Sequence, residues 1–245
     1  MRARSIAWLM LALLPGVAAG ELRLLTEQAP PTSFLRDGEP DGYAVEVVRE
    51  LVRRTDSEAD VELVPWTRGY YLARHEPNVA LFMVVRTPER EPMFRWVGPI
   101  LRGTTRFYSL KDSGLRVDSL DAAARAGTLA LPKQWYTYET LERLGFTNLH
   151  GVPSPKHMVD MLKHGRVKLI ATEDLTLREE LALGGLRVDD VQGHFAFMQS
   201  DYYIAFSPLT PPEQVDAWQR QLEAMRADGS LQRLRQRWLP QAERR

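Results

Sequence analysis

Short apolar segments alternate with amphipathic ones along this chain, and that alternation constrains the fold more than any other feature. In the first third, three apolar runs have the length and branched side chains of buried strands: Leu22–Leu25, Val61–Val64 and Asn78–Val85. The segments between them, 43–53 and 65–74, are predicted helices. Strands that alternate with helices predict a parallel sheet with helices packed against it.

A second unit of the same kind occupies the middle of the chain. Two β-prone stretches, 102–110 and 202–206, flank this unit, so we expect the chain to cross over to it and to return. Two amphipathic helices, with apolar stripes that include Trp218 and Leu234, end the chain. Within the second unit the predicted helices are 120–126, 137–144, 154–164 and 175–183, and the predicted strands are 128–131 and 167–171.

These elements predict an α/β protein of two lobes joined by two crossing strands. The first lobe is discontinuous and consists of 21–105 and 203–245, and the second lobe consists of 106–202. Each lobe has roughly 100 residues or more, which is enough for a hydrophobic core of its own.

The first twenty residues have the features of a secretory signal peptide. A basic start with Arg2 and Arg4 is followed by an apolar run over 6–14 and by small residues over 15–20. The apolar run is well short of the ~20 residues that a membrane-spanning helix needs. We therefore expect 1–20 to be a cleaved signal peptide. Because the sequence has no cysteine, we expect neither a lipid anchor nor disulfides.

Charge and motif content argue against several classes of protein. The chain has 32 basic and 32 acidic residues, and removing Arg2 and Arg4 leaves a formal charge of −2, which argues against a nucleic-acid partner. The five histidines lack metal-ligand spacing, and no glycine-rich phosphate loop and no Ser-His-Asp arrangement is visible. We therefore predict no metal, no cofactor and no catalytic residues.

Two arginines follow the third predicted strand and form a candidate anion-binding edge. Arg86 and Arg90 lie in the turn after Val85, in the sequence Arg-Thr-Pro-Glu-Arg. The planar guanidinium can donate two parallel charge-assisted hydrogen bonds to a carboxylate or phosphate. The alternative is a solvated loop in which both arginines pair with Glu89 and Glu91.

The order and spacing of several short motifs resemble the bacterial extracellular solute-binding proteins of family 3. The resemblance implies a two-lobe fold of the type II periplasmic binding protein class, with the ligand in the cleft between the lobes. It also implies a monomeric periplasmic protein that takes up an amino-acid-like solute for the membrane permease of an ABC importer. The motifs are Glu27 and Pro30-Pro31, Gly42-Tyr43, Arg86 to Arg90, Gly98-Pro99, Met161 to Val167, Tyr203 to Ser207, and Asp228 to Leu231.

The resemblance also implies roles for individual residues. In the family, the arginine that closes the Thr-Pro-Glu-Arg pattern binds the ligand α-carboxylate, and that position here is Arg90. The acidic partner of the α-ammonium follows a strand of the second lobe, which here is either Glu173 or Asp174. We also expect Glu27 and Arg86 to contact the ligand.

This chain departs from the family pattern at two places. Met83-Val84-Val85 stands where small hydroxyl residues or glycine commonly precede the arginine pattern. Trp135, with Tyr136, stands where a small donor is usual in the second lobe. The cleft is therefore expected to suit a ligand that differs from a simple α-amino acid or is larger.

Aromatic residues are concentrated at two places expected near the cleft. Trp66, Tyr70 and Tyr71 fall on one short helix, and Trp135, Tyr136 and Tyr138 fall at another turn. Trp66, Tyr70, Trp135 and Tyr136 are the candidate ligand contacts, since such rings suit a flat or cationic ligand group. The alternative is that about half of these aromatics belong to the core.

The sequence as a whole predicts a periplasmic solute-binding protein rather than an enzyme. One alternative is an exported dehydratase of the cyclohexadienyl type on the same fold, which would use Glu173 for proton transfer. Another is a sensor that reports its ligand to a membrane receptor. The sequence leaves open the identity of the ligand and the choice between transport and sensing.

Overall fold

The computed structural model describes residues 21–133 and 135–239 of the 245-residue chain. The predicted signal peptide, 1–20, lies outside the described residues. Over the described ranges, no helix has the length and apolar character needed to cross a membrane.

In the part of the chain that the structure describes, ten strands and eight α-helices follow one another in an order close to the predicted alternation. The same residues also include three short 3-10 helices, Glu91–Met93, Lys111–Ser113 and Val188–Asp190. The strands are β1 (Leu22–Thr26), β2 (Phe34–Arg36), β3 (Glu39–Asp41), β4 (Ala59–Leu63), β5 (Val79–Val85), β6 (Arg95–Leu110), β7 (Leu129–Pro132), β8 (Leu149–Val152), β9 (Leu169–Glu173) and β10 (Val191–Phe206). The helices are α1 (Tyr43–Thr55), α2 (Trp66–His75), α3 (Leu120–Arg125), α4 (Tyr136–Arg143), α5 (Pro155–Lys163), α6 (Leu177–Leu183), α7 (Pro212–Ala227) and α8 (Ser230–Trp238).

Eight strands form one continuous mixed sheet in the order β4-β1-β5-β10-β6-β9-β7-β8. The pairs at each end are parallel: β1 with β4 and β5, and β7 with β8 and β9. The central pairs, β5-β10, β10-β6 and β6-β9, are antiparallel. The two long strands β6 and β10 therefore join two parallel α/β units, as predicted for a two-lobe protein.

Separate hydrophobic cores lie at the two ends of the sheet. The first contains Tyr43, Phe82, Phe206 and Trp218, with helices α1 and α7 packed over β1 and β5. The second contains Phe107 of β6 together with the buried faces of β7, β9 and α5. Both amphipathic helices at the end of the chain pack against the first core. The end of the chain thus lies with the first core. The predicted lobe boundaries near 105 and 203 fall inside β6 and β10, and the exact division of the chain stays a prediction.

The largest difference from the predicted elements is the length of the crossing strands. Both β6 and β10 have 16 residues, whereas the predicted crossings had nine and five. The sequence Gly98-Pro99 obscures the first half of β6, because proline cannot donate a ladder hydrogen bond. The strand accommodates it with a shift of register between Tyr202 and Ile204 of β10.

Three short strands, β2, β3 and β8, were not predicted. The hairpin β2-β3 turns at Asp37 and Gly38, which have left-handed φ values of 54° and 87°. Asp-Gly is a typical sequence for such a turn, but its flanking residues are mostly exposed and show no apolar alternation. Strand β8 is an edge strand whose residues Leu-His-Gly-Val are only partly buried.

Candidate functional site

A cavity of about 340 Å³ lies between the two cores, and both lobes line it. On the first lobe it is bordered by the loop after β1, the start of α2, the end of β5 and Arg90. On the second lobe it is bordered by the start of α4, the end of β9 and helix α6. The carboxyl ends of parallel strands from both units thus face one crevice, which is where open α/β sheets bind ligands.

Arg90 projects a largely unpaired guanidinium into this cavity. Its side chain is 10% exposed, and the guanidinium lies 5.7 Å from the ring of Trp66 and 5.6 Å from the ring of Tyr70. Its polar contacts are a 3.4 Å hydrogen bond to the carbonyl of Val85 and a distant 3.9 Å approach to Glu139 across the cleft. The two rings hold the guanidinium in place, and donors remain free for an anionic ligand group.

Glu27 lines the same cavity from the loop after β1. Its carboxyl group makes no hydrogen bond and no ion pair with any other residue that the structure describes. Burial without a partner raises the pKa of Glu27 from its usual 4.5 to about 7. This carboxyl group is therefore available to pair with a cationic ligand group.

Glu173 and Asp174 have different environments, which separates the two alternatives for the acidic partner. Glu173 lines the cavity, and the hydroxyl of Tyr202 donates to its Oε1 at 2.5 Å. Asp174 lies outside the cavity and accepts hydrogen bonds from Arg106 at 3.0 Å and from Tyr108 at 2.5 Å. Glu173 is thus the acid that faces the cleft.

Three of the four candidate aromatics line the cavity. Trp66 lies on the first lobe, and Trp135 and Tyr136 lie on the second. The Tyr136 hydroxyl is hydrogen-bonded to Ser200, and burial raises the pKa of Tyr136 to about 12. The fourth, Tyr70, lies behind Arg90, and its hydroxyl donates to Sδ of Met93. Of the other two aromatics, Tyr71 is 62% exposed and Tyr138 packs against the second core.

Arg86 lies outside the cavity. Its guanidinium donates to the Glu91 carboxylate at 2.5 and 2.6 Å and lies over the rings of Trp96 and Tyr203. Arg86 therefore forms a surface ion pair with Glu91, which is the alternative to ligand binding considered for this loop.

Met83 enters the cavity because strand β5 is irregular at this residue. Its φ of 64° is left-handed, and the register with β10 shifts between Tyr203 and Ile204 so that Met83 has no partner there. A left-handed conformation costs a non-glycine residue roughly 1–2 kcal/mol. The departure from the family pattern noted in the sequence thus coincides with a strained residue at the cavity wall.

Several cavity residues were not among the sequence candidates. Glu180 of α6 is buried, accepts a 2.6 Å hydrogen bond from Thr172, and has its pKa raised by burial. Glu179 and Tyr202 also line the cavity. Among the described lining residues, four carboxyl groups therefore face a single guanidinium. No group of three or more histidines, aspartates or glutamates over the described ranges could hold a metal ion.

Residues 22–241 match the model of the bacterial extracellular solute-binding proteins, family 3. This chain belongs to that family. The match covers almost all of the described residues and agrees with the two-lobe architecture and the position of the cavity. No curated protein sequence matches the chain.

Solved structures with the same fold are distant in sequence. A histidine kinase sensor domain with similarity to periplasmic binding proteins has a TM-score of 0.80 and 17% identity, over 89% of this chain and 96% of that one. An ancestral arginine-binding protein bound to arginine has a TM-score of 0.77 and 15% identity, over 89% and 98%. The ancestral amino acid-binding protein AncCDT-1, a precursor of cyclohexadienyl dehydratase, has a TM-score of 0.75 and 15% identity, over 90% and 96%. At these identities the likeness shows the fold.

Proposed function

We propose that this protein binds a small zwitterionic solute that carries an additional cationic group, as an amino acid with a basic side chain does. It would do so in the periplasm and deliver the solute to the permease of an ABC importer. Membership of family 3 supports the general role of solute binding. The charges of the cavity support the finer proposal.

The observation that carries the proposal is the unpartnered carboxyl group of Glu27. A buried carboxyl without a partner is costly, and a ligand ammonium or guanidinium would remove that cost. Glu173 provides a second acceptor in the cavity, and Arg90 is the one lining cation among the described residues. A ligand with two cationic groups and one carboxylate would match these three side chains.

Each of these residues would have a distinct task. Arg90 would hold the carboxylate with two parallel hydrogen bonds. Glu173 would accept from the α-ammonium, and Glu27 would pair with the distal cation beside Trp66. Trp135 would cover the ligand from the second lobe. Because Arg90 and Glu173 belong to opposite walls, a ligand that contacts both binds the closed arrangement of the lobes more tightly.

Isothermal titration calorimetry with four probes tests this assignment. L-arginine should bind, and L-glutamate, which adds a carboxylate where Glu27 lies, should bind at least tenfold more weakly. Agmatine, which lacks the carboxylate, and desamino-arginine, which lacks the α-ammonium, should both bind more weakly than L-arginine. Glu27→Gln should lose most of the preference for L-arginine over L-glutamate, and Glu58→Gln, at an exposed acid, should keep it. Equal affinity for L-arginine and L-glutamate would refute the proposal.

The dehydratase alternative predicts turnover instead of binding. It rests on a shared fold with a protein named as a dehydratase precursor and on the presence of a cleft carboxylate, Glu173. Incubation with prephenate or arogenate, followed by absorbance of the aromatic product, tests it directly. We expect no product above the uncatalysed rate, and product formation that Glu173→Gln abolishes would favour the enzyme.

A further inference from the structure

One face of the two crossing strands lies beside the cavity, which Tyr202 of β10 lines directly. Ser200 pairs with Gly103, Tyr202 pairs with Leu101, and Thr105 of β6 pairs with Glu173 of β9. Directly opposed residues point to the same side of a sheet, and side chains alternate along each strand. All six positions therefore share one face, and the ion pair between Arg102 and Asp201 lies on the other.

Gly103 leaves a gap in this face, and the Glu173 carboxyl group occupies it. A Cβ atom at residue 103 would lie 2.8 Å from Cδ and 2.9 Å from Oε1 of Glu173, and closer still to Oε2. Such distances are shorter than atoms of this kind tolerate. Glu173 is the diagonal neighbour of Gly103 across the β6-β9 pair, which explains why its side chain reaches this point. Any larger residue at 103 would force the carboxyl group to move.

Tyr202 holds the same carboxyl group from the other crossing strand. Its hydroxyl donates to Oε1 of Glu173 at 2.5 Å, and its ring packs against the first core. Hydrogen bonds to an ionised acceptor are short and directional, so this contact fixes the orientation of the carboxylate.

We propose that Gly103 and Tyr202, one from each crossing strand, are the positioning residues of the Glu173 carboxylate. Gly103 provides the space and Tyr202 provides the donor, and neither needs to touch the ligand. Because both residues belong to the strands that join the lobes, the geometry of the crossing sets the position of the acceptor for the ligand ammonium. This inference rests on the proposed function for the role of Glu173, but the placement of the carboxylate does not.

The placement can be tested without any ligand. The side-chain carboxyl carbon of Glu173, assigned by its loss in Glu173→Gln, is followed by NMR in Gly103→Ala and in Tyr202→Phe. Both variants should shift this resonance. Tyr203→Phe, next to Tyr202 on the opposite face of β10, should not. An unchanged resonance in either variant removes that residue from the proposal.

The consequence for binding is tested with two probes that differ in one group. For L-arginine, we expect Kd to rise about tenfold or more in both variants, which corresponds to ~1.4 kcal/mol. For desamino-arginine, which has no α-ammonium, we expect Kd to change less than threefold. A general loss of structure would weaken both probes equally, and that result would overturn the positioning role. If neither probe binds to the wild type, the proposed function fails while the NMR measurement still decides the placement.

Discussion

Replacing Glu27 with glutamine should stabilise the protein without ligand above about pH 5, with the full effect at neutral and alkaline pH. Glutamine has nearly the shape of glutamate and no charge. Glu27 is partly buried at the cavity wall, and its carboxyl group has no partner over the described ranges; this desolvation raises its pKa to about 7. Without a cationic partner, the ionised carboxyl group of Glu27 therefore lowers the free energy of unfolding.

The sign and size of this change in stability follow from the pKa values of Glu27 in the unfolded and folded protein. Because the pKa is raised in the folded protein, the carboxyl contributes no cost below the unfolded value of 4.5. The cost grows as pH rises from 4.5 to about 7 and is complete above that. A pKa increase from 4.5 to about 7 corresponds to about 3 kcal/mol once the group is fully ionised. For a protein of this size, that amounts to roughly 6–12 °C in Tm.

Thermal unfolding at two pH values measures the effect. At about pH 4 the wild type and Glu27→Gln should unfold within about 2 °C of each other, and at about pH 8.5 the variant should be the more stable by several degrees. Glu58→Gln, at an exposed position, controls for the loss of one negative charge. A Tm difference that is the same at both pH values would refute the account of Glu27 as a buried, unpartnered acid.

Four further predictions concern the binding of a ligand. The Kd of L-arginine should rise about tenfold from pH 8 to pH 6 in calorimetry, because Glu27 must ionise to pair with the guanidinium, and Glu27→Gln should flatten this dependence. Arg90→Ala should weaken binding by about 2–5 kcal/mol with the fold intact, while Arg86→Ala, on the same loop but outside the cavity, should bind as the wild type does. Trp135→Ala should change ligand preference and reduce the ligand-linked fluorescence change, with little change in Tm; a large loss of stability without a change in preference would make it a core residue. Solution scattering should give a smaller radius of gyration with saturating L-arginine, and combining Arg90→Ala with Glu173→Gln should remove the difference; an identical curve with binding confirmed would contradict closure.

The fold was predictable where buried segments carry a strong periodic signal. Strands β5 and β9 are largely apolar runs, and their predicted bounds lie within two residues of the observed ones. The apolar stripe of α7 predicts a helix there but not its bounds. The long crossing strands gave a weaker signal, because their burial changes from one core to the other along their length. The hairpin β2-β3 carries turn residues but little apolar surface, and the pattern of apolar residues does not reveal it.

Some residues of the candidate site could be predicted from their position in the chain, and others depend on tertiary packing. Glu27 directly follows β1, Glu173 ends β9, and Arg90 lies in the loop after β5. Because the carboxyl ends of parallel strands meet at one crevice, chain position alone suggests that they converge. Glu180 stands in a helix whose Arg-Glu-Glu sequence is typical of an exposed face, and only tertiary packing against Thr172 buries it. The environment of Gly103 depends on a diagonal contact between β6 and β9 that requires the register of both strands.

Two ion pairs join the lobes across the cleft, and their exposure limits what they contribute to closure. Glu89 lies 2.8 Å from Arg143, and Arg90 lies 3.9 Å from Glu139 one turn earlier on α4. More than half of the side-chain surface of Glu89, Arg143 and Glu139 is exposed, and such pairs contribute about 0–1 kcal/mol each. Moving a two-state equilibrium from almost fully open to almost fully closed takes about 5.5 kcal/mol. These ion pairs are therefore too weak to close the lobes alone. If the proposed function is correct, we expect the free energy of closure to come from a solute that contacts Arg90 and Glu173 together.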